Sequence, residues 1–328
     1  MVKRWQDYGT AVIGGVLFGV GVGGKGARAL PTGGTVIHGS ATIHSSSPSE
    51  LEINQTTERA IINWSNFSIF SGGWVRFNQP STSSATLNRV TGGIPSTIAG
   101  KMTAPGWVFL VNPDGIGFVN GAQVNVGGLV ASTLNISNAD FLAGGGSTPF
   151  VFSRTPSSFG KGVTVEAGAT ITGQQGVVFV APGWRNDGTI QTNQGAIGVA
   201  VGDQAQINID LFGNGLLTLS VSPTVATEVE NIYGQPLTAY IDNRGTLSTQ
   251  TAGNIALVAH SHQDLVSTAL RNVISLGGGL IEAKRALSIN GEIVLRGLGK
   301  TQVESDLTAI KGNQVEVTGR RIPVSYTH

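Results

Sequence analysis

The sequence predicts an all-β fold of the parallel β-helix (β-solenoid) kind, in which short strands stack coil upon coil. Three observations predict it. Composition is the first: of 328 residues, 48 are Gly and 40% are hydrophobic while aromatics make up only 6%. The apolar positions are chiefly Val, Ile and Leu set among Gly, Thr, Ser and Asn, which suits short strands and frequent turns. The second is periodicity. Short alternating runs such as Thr35-Val36-Ile37, Ala41-Thr42-Ile43 and Leu51-Glu52-Ile53 recur, and nothing from Thr35 onward holds a 3.6-residue apolar period for long. The third is an internal repeat in which a Gly turn, an apolar strand, a second Gly and another apolar strand follow one another. It reads Gly-Ala-Thr-Ile at 168–171 with Gly-Val-Val-Phe-Val-Ala at 176–181, then recurs at 188–190 with 195–200 and at 245–247 with 253–259, and in degenerate form at 279–281 with 291–295.

Each unit is too small to bury its own apolar face, so the units must stack, and a unit of short strands without a helix stacks as a β-solenoid. Each strand then pairs with its equivalent one turn away at roughly 4.8 Å, and the inward residues form a column. The glycines fall at corners, where positive φ or a close approach to the next coil excludes a side chain. With coils of about twenty to twenty-five residues, the chain from residue 30 onward makes on the order of a dozen.

Charge narrows the function. Only 12% of residues are charged and the formal net charge is +1, so neither a nucleic-acid stripe nor an acidic disordered tail is indicated. Cysteine is absent, which removes disulfides, Cys-ligated metals and thiol nucleophiles.

Along the chain, residues 1–29 read as a signal peptide. Lys3 and Arg4 give a basic start, 11–23 is apolar, and Ala27-Arg28-Ala29 offers small residues for cleavage after Ala29. The apolar run is too short and Gly-rich to span a bilayer. Two stretches interrupt the strands. Residues 211–236, with Pro223, Pro236, Glu228 and Glu230, read as an excursion from the solenoid, and 262–274 carries Leu265, Ala269, Leu270 and Val273 at the spacing of a short surface helix. The solenoid is expected to run on to about residue 319, ahead of a tail at 320–328 with Arg320 and Arg321.

Several long motifs fall in 30–144. They are Leu30-Pro31 with Gly33-Gly34; the run Arg59-Ala60-Ile61-Ile62-Asn63-Trp64-Ser65-Asn66-Phe67-Ser68-Ile69; Val75-Arg76-Phe77-Asn78-Gln79-Pro80; and Leu87-Asn88-Arg89-Val90-Thr91-Gly92-Gly93. Further on stand Gly106 to Val111, Asn112-Pro113-Asp114-Gly115-Ile116, and 124–133. In these the chain resembles the two-partner-secretion, or haemagglutination activity, domain of filamentous-haemagglutinin-like exoproteins. The resemblance implies a right-handed parallel β-helix with N-terminal capping strands, forming an export module over 30–202 that continues over 203–319. It also implies a secreted or surface protein of a Gram-negative bacterium. The implied partner is an outer-membrane two-partner transporter with polypeptide-transport-associated domains, and the implied role is adhesion to a host-cell, bacterial or glycan receptor. Exoproteins of this kind are usually far longer, which leaves a truncated product, a compact exoprotein or a bare export module as expectations. A chain without cysteine suits threading, since no oxidised loop forms before export.

The motif residues carry two readings each. Asn112-Pro113-Asp114-Gly115 is a tight-turn sequence, Pro presetting φ and Gly accepting φ > 0, that would turn one strand into the next at Ile116; it could also be read by the transporter. The family more often has Asn at the position of Asp114, a swap that keeps the turn chemistry. Asn63, Trp64 and Phe67 could be recognition residues or core, and Asn88 with Arg89 could face a partner or bond locally. His260 and His262 could ligate a metal only with Asp264 as a third group, so no metal or cofactor is expected. The rival class is a carbohydrate-active β-helix enzyme, which needs clustered carboxylates. Asp187, Asp203 and Asp210 are the nearest approach to a group, and the chain is read as a non-enzyme.

Overall fold

The computed structural model describes residues 30–154, 160–193, 195–209, 211, 217–221, 229–237, 241–249, 255–260, 280–283, 292–298, 310–311 and 314–318. The expected signal peptide, the segment 262–274 and the tail 320–328 lie outside the described residues.

The expected β-solenoid is observed, with three strand-bearing faces. On the first face Leu51, Val75, Met102, Val124, Ile171, Ile190 and Leu247 stack in parallel register, and Ile281 and Ile310 continue the same register. These strands alternate cleanly. In Glu50–Gln55, Leu51, Ile53 and Gln55 point inward and are buried, while Glu50, Glu52 and Asn54 are only partly covered, the pattern of a sheet wet on one side. Among the described residues nine strands stack here, fewer than the dozen coils expected. The coils from Val124 to Ile171 and from Ile190 to Leu247 each carry a long detour outside the solenoid.

The second face is formed by Arg59–Trp64, Ala85–Val90, the later parts of Lys101–Val111, Gln123–Ser132 and Thr170–Ala181, and then Ala196–Val201 and Ile255–His260, with Glu292–Leu298 and Gln314–Thr318 in continuing register. Here alternation disappears. Val108 and Leu110 face the solenoid core, Trp107, Phe109 and Val111 face outward, and all five are buried. The outward row is sealed by a second layer that the chain builds during its detours. That layer is an antiparallel sheet of Asn135–Ile136, Phe150–Ser153, Gln204–Ile209 and Leu217–Val221, with one short helix, Asn138–Ala143. Ser137 caps the helix by accepting from the Asp140 backbone N–H at 3.0 Å. The Phe109 ring lies 5.2 Å from Phe141 and 4.9 Å from Phe150, so three rings clamp solenoid and outer layer together.

The third face stacks Ser96–Ile98, Ile116–Phe118, Val163–Val165, Trp184–Asn186 and Ile241–Asn243 in parallel. Its inward column runs Ile98, Phe118, Val165 and then two carboxamides, Asn186 and Asn243, both fully buried. Asn186 Nδ2 donates to Asn243 Oδ1 at 2.8 Å, and Asn186 Oδ1 accepts from the Gly188 N–H at 3.0 Å, so the amides meet the usual requirement for burial.

At the N-terminal end the expected capping strands are present. Thr35–His38 pairs antiparallel with Arg59–Trp64, and Ala41–Ser47 pairs antiparallel with Glu50–Gln55. Val36 and Ile43 lean on the core while Thr35, Thr42 and His44 face outward. Most of the described repeat glycines act by close approach: a Cβ at Gly195 would sit 1.6 Å from the Gln175 carbonyl oxygen.

Candidate functional site

The ten motif residues fall into two groups at the corner where the second face turns into the third. In the first group, Trp64 and Phe67 are buried edge to face, with ring centroids 5.5 Å apart. The Trp64 indole N–H donates to Asn88 Oδ1 at 3.0 Å, and Asn88 Nδ2 donates to the Phe109 carbonyl at 3.3 Å, so this fully buried amide ties three successive coils. Asn63 is half-buried, and its Oδ1 lies 3.5 Å from the Arg89 guanidinium. Arg89 reaches out to the second layer, donating to the Ile136 carbonyl at 2.6 Å and to Asn138 Oδ1 at 2.8 Å. Arg59 makes the matching contact one coil earlier. It donates to the Gly144 carbonyl at 2.8 Å, and its guanidinium carbon lies 5.3 Å from the Phe141 ring centre and 5.6 Å from that of Phe150. Burial lowers the pKa of both guanidinium groups, countered at Arg59 by the charge of Glu58. The two arginines therefore latch the outer layer onto the first coils.

The second group is the turn. Asn112 is fully buried; its Nδ2 donates to the Ile94 carbonyl and to Ser96 Oγ, both at 2.9 Å, and its Oδ1 accepts from the Asp114 N–H at 3.0 Å. The Gly115 N–H closes the turn on the Asn112 carbonyl at 3.1 Å, with Gly115 at φ 114°. Pro113 and Asp114 are half-exposed, and Ile116 starts the third-face strand inside the core. The turn is anchored by the Asn112 side chain and carries Gly115 at positive φ.

A strap that the motifs did not reveal covers this corner. Residues 229–237 leave Val229–Glu230, which pairs parallel with Gly160–Lys161, and return through a turn in which Asn231 accepts from the Tyr233 and Gln235 N–H groups at 2.9 and 3.0 Å. Ile232 rests on Gly115 and Gly117, and Tyr233 donates its hydroxyl to Glu166 at 2.8 Å. Lys161 pairs with Glu230 at the strap's base. The sequence signal was Asn-x-x-Gly turn spacing around an Ile-Tyr pair, 231–234, inside the excursion of 211–236.

Desolvation first, then the hydrogen bond to Glu166 and its charge, push the Tyr233 phenol up to about 12. A folded-state pKa above the unfolded value favours the folded strap below pH ~10, the free-tyrosine value, and that contribution is lost as pH rises towards 12. Absorbance titration of tyrosinate is expected to show one late-titrating phenol that is missing from Tyr233→Phe; identical curves would refute the contact.

The acidic residues considered for catalysis are placed apart. Asp187 pairs with Arg185 at 2.7 Å on the third face and Asp203 with Arg154 at 3.1 Å beside the outer sheet, while Asp210 lies outside the described residues. Among the described residues no group of three or more His, Asp or Glu is placed to hold a metal ion. His260 ends a described strand, but its side chain, His262 and Asp264 lie outside the description.

A capped parallel β-helix whose corners are closed by these motifs defines the class: a β-solenoid secretion domain. The chain belongs to the TPS secretion domain family, whose model matches residues 27–303. Its fold is that of the secretion domain of HMW1 from Haemophilus influenzae, which aligns over 89% of this chain and 71% of that one at a TM-score of 0.65 and 24% identity. Two heme/hemopexin-binding proteins of Haemophilus influenzae are similar in sequence. The one from strain Rd is 43% identical over 110 residues, 34% of this chain, and the other 39% over 100 residues, 30% of this chain. The matched segments span only 12% and 11% of those relatives. The family is that of the secretion domains of two-partner exoproteins, which as a class are secreted across the outer membrane of Gram-negative bacteria.

Proposed function

We propose that this chain is the export module of an adhesin-type exoprotein, freed from its signal peptide after Ala29 and read in the periplasm by the polypeptide-transport-associated domains of its transporter before it folds. The observation that carries the reading is burial. Trp64, Phe67, Asn88, Asn112, Gly115 and Ile116 are all enclosed in the folded protein, so a partner that reads these side chains meets them in an extended chain. Strand addition suits that encounter, since main-chain bonds give affinity and alternate side chains give specificity. Folding outside the cell then adds coil to coil and opposes return. The receptor is proposed to be a host-cell, bacterial or glycan surface. The enzymatic alternative finds no support in Asp187 and Asp203, which neutralise separate arginines.

Co-expression with the transporter tests the proposal. Secretion of the intact chain is expected to depend on the transporter and to be lost on deletion of 30–144; secretion that survives the deletion would sink the reading.

A further inference from the structure

The strap 229–237 is a hairpin held by its own backbone. The Leu237 N–H donates to the Val229 carbonyl at 2.7 Å, the Asn231 N–H donates to the Gln235 carbonyl at 2.9 Å, and the Gly234 N–H closes the tip on the Asn231 carbonyl at 3.1 Å. Its three aliphatic side chains meet glycines on three successive coils of the third-face corner. A Cβ on Gly117 would lie 2.4 Å from Ile232 Cδ1, one on Gly162 2.6 Å from Leu237 Cδ1, and one on Gly183 2.9 Å from Val229 Cγ1. Gly117 lies within Ile116–Phe118, while Gly162 and Gly183 directly precede Val163–Val165 and Trp184–Asn186, and these three strands are neighbours in the stack. Neither Gly117 nor Gly183 has a positive φ, and the atoms nearest to a Cβ at either are all strap side chain. Their backbone could therefore carry a side chain; it is the hairpin that leaves no room for one. A backbone bond from the Gly162 N–H to the Glu230 carbonyl at 2.8 Å ties the hairpin to the middle coil.

We infer that the strap is a folding clasp, which closes over three stacked coils and makes them open as one block. Coils that touch only their neighbours come apart from an end one at a time. A hairpin seated across three of them has to lift before the middle one can leave, so their openings are coupled. Order along the chain sets the timing. The hairpin follows Trp184–Asn186 and precedes Ile241–Asn243, so it closes on corners whose strands all come before it. The consequence for export rests on the function proposed above: a chain emerging from its N-terminal end can lose coils singly until residue 237 is out, and afterwards only as a block.

Native-state amide exchange on the purified chain from residue 30 onward tests the clasp. In wild type, Ile116–Phe118, Val163–Val165 and Trp184–Asn186 are expected to exchange with one common protection. With Val229→Ala, Ile232→Ala and Leu237→Ala combined, exchange is expected to become graded. It should be fastest in Trp184–Asn186, about tenfold above wild type, and slowest in Ile116–Phe118. A mutant cycle on the Ile232 contact gives the second measurement. Gly117→Ala alone is expected to lower the folding equilibrium constant about fivefold or more, as overpacking does. Beside Ile232→Val, which deletes the colliding Cδ1, the same change is expected to be close to neutral. Uniform exchange in the alanine variant, or Gly117→Ala effects that agree within roughly twofold in the two backgrounds, overturn the clasp. If the alanine variant does not fold, the cycle decides. Both measurements use the folded chain without its transporter, so their failure leaves the export reading, which the deletion of 30–144 tests, as it stands.

Discussion

Replacing Phe109 with alanine is expected to cost about 3–5 kcal/mol, the range for a fully buried phenylalanine, and to loosen the outer layer before the solenoid. Phe109 is fully buried, faces outward from the second face, and is flanked by Phe141 and Phe150 at about van der Waals contact. Removing it takes the shared ring from a cluster whose other members belong to the detour. The inward neighbours Val108 and Leu110 are untouched and continue to stack with Leu129 and Ala131 of the next coil. Urea denaturation should show the loss. Amide exchange should rise in Asn138–Ala143 and Phe150–Ser153 well before it rises in Gln123–Ser132; a uniform rise across both layers would contradict a separable cover.

Asn112→Ala is expected to cost about 2–4 kcal/mol, because it strands buried groups that the side chain now satisfies. The Ile94 carbonyl, Ser96 Oγ and the Asp114 N–H each lose a partner. Asn112→Asp keeps an acceptor for Asp114 but directs a buried carboxylate at the Ile94 carbonyl, so it is expected to be no better tolerated. Thermal melting gives the magnitude, and secreted yield should fall in both variants. A variant that melts like wild type would show that the turn is held by Pro113 and Gly115 alone.

The solenoid was legible because its physics is local and repetitive. The column Ile171, Ile190, Leu247 and Ile281 is the repeat itself, and its register follows the sequence alignment of the units. The Asn112 turn was legible because Pro fixes φ and Gly accepts the positive φ that other residues avoid. The outer layer was not. Runs such as 107–111 and 176–181 are apolar at every position because both sides are covered, and periodicity cannot say by what. The cover comes from segments far apart in sequence, and its helix is only six residues long, below the length at which an apolar period can be recognised. Ser137 with Asp140 was the available sign of it. Arg59 and Arg89 were visible as motif residues, but their latching role depends on carbonyls 85 and 47 positions away, a separation that no local pattern encodes.

The buried amide pair bears on how coils find their correct neighbours. A one-residue slip of a stacked strand is barred because it turns the apolar set outward, but a two-residue slip keeps aliphatic residues over aliphatic residues. Fifty-six residues separate Asn186 from Asn243 in the sequence, so these two rungs must meet with little guidance from the connection. A misthreaded coil would set each carboxamide against an aliphatic side chain, leaving two polar groups dry and unbonded. Only the correct alignment joins them. The pair thus acts less as glue than as a key, rejecting the near misses that the hydrophobic column by itself would accept.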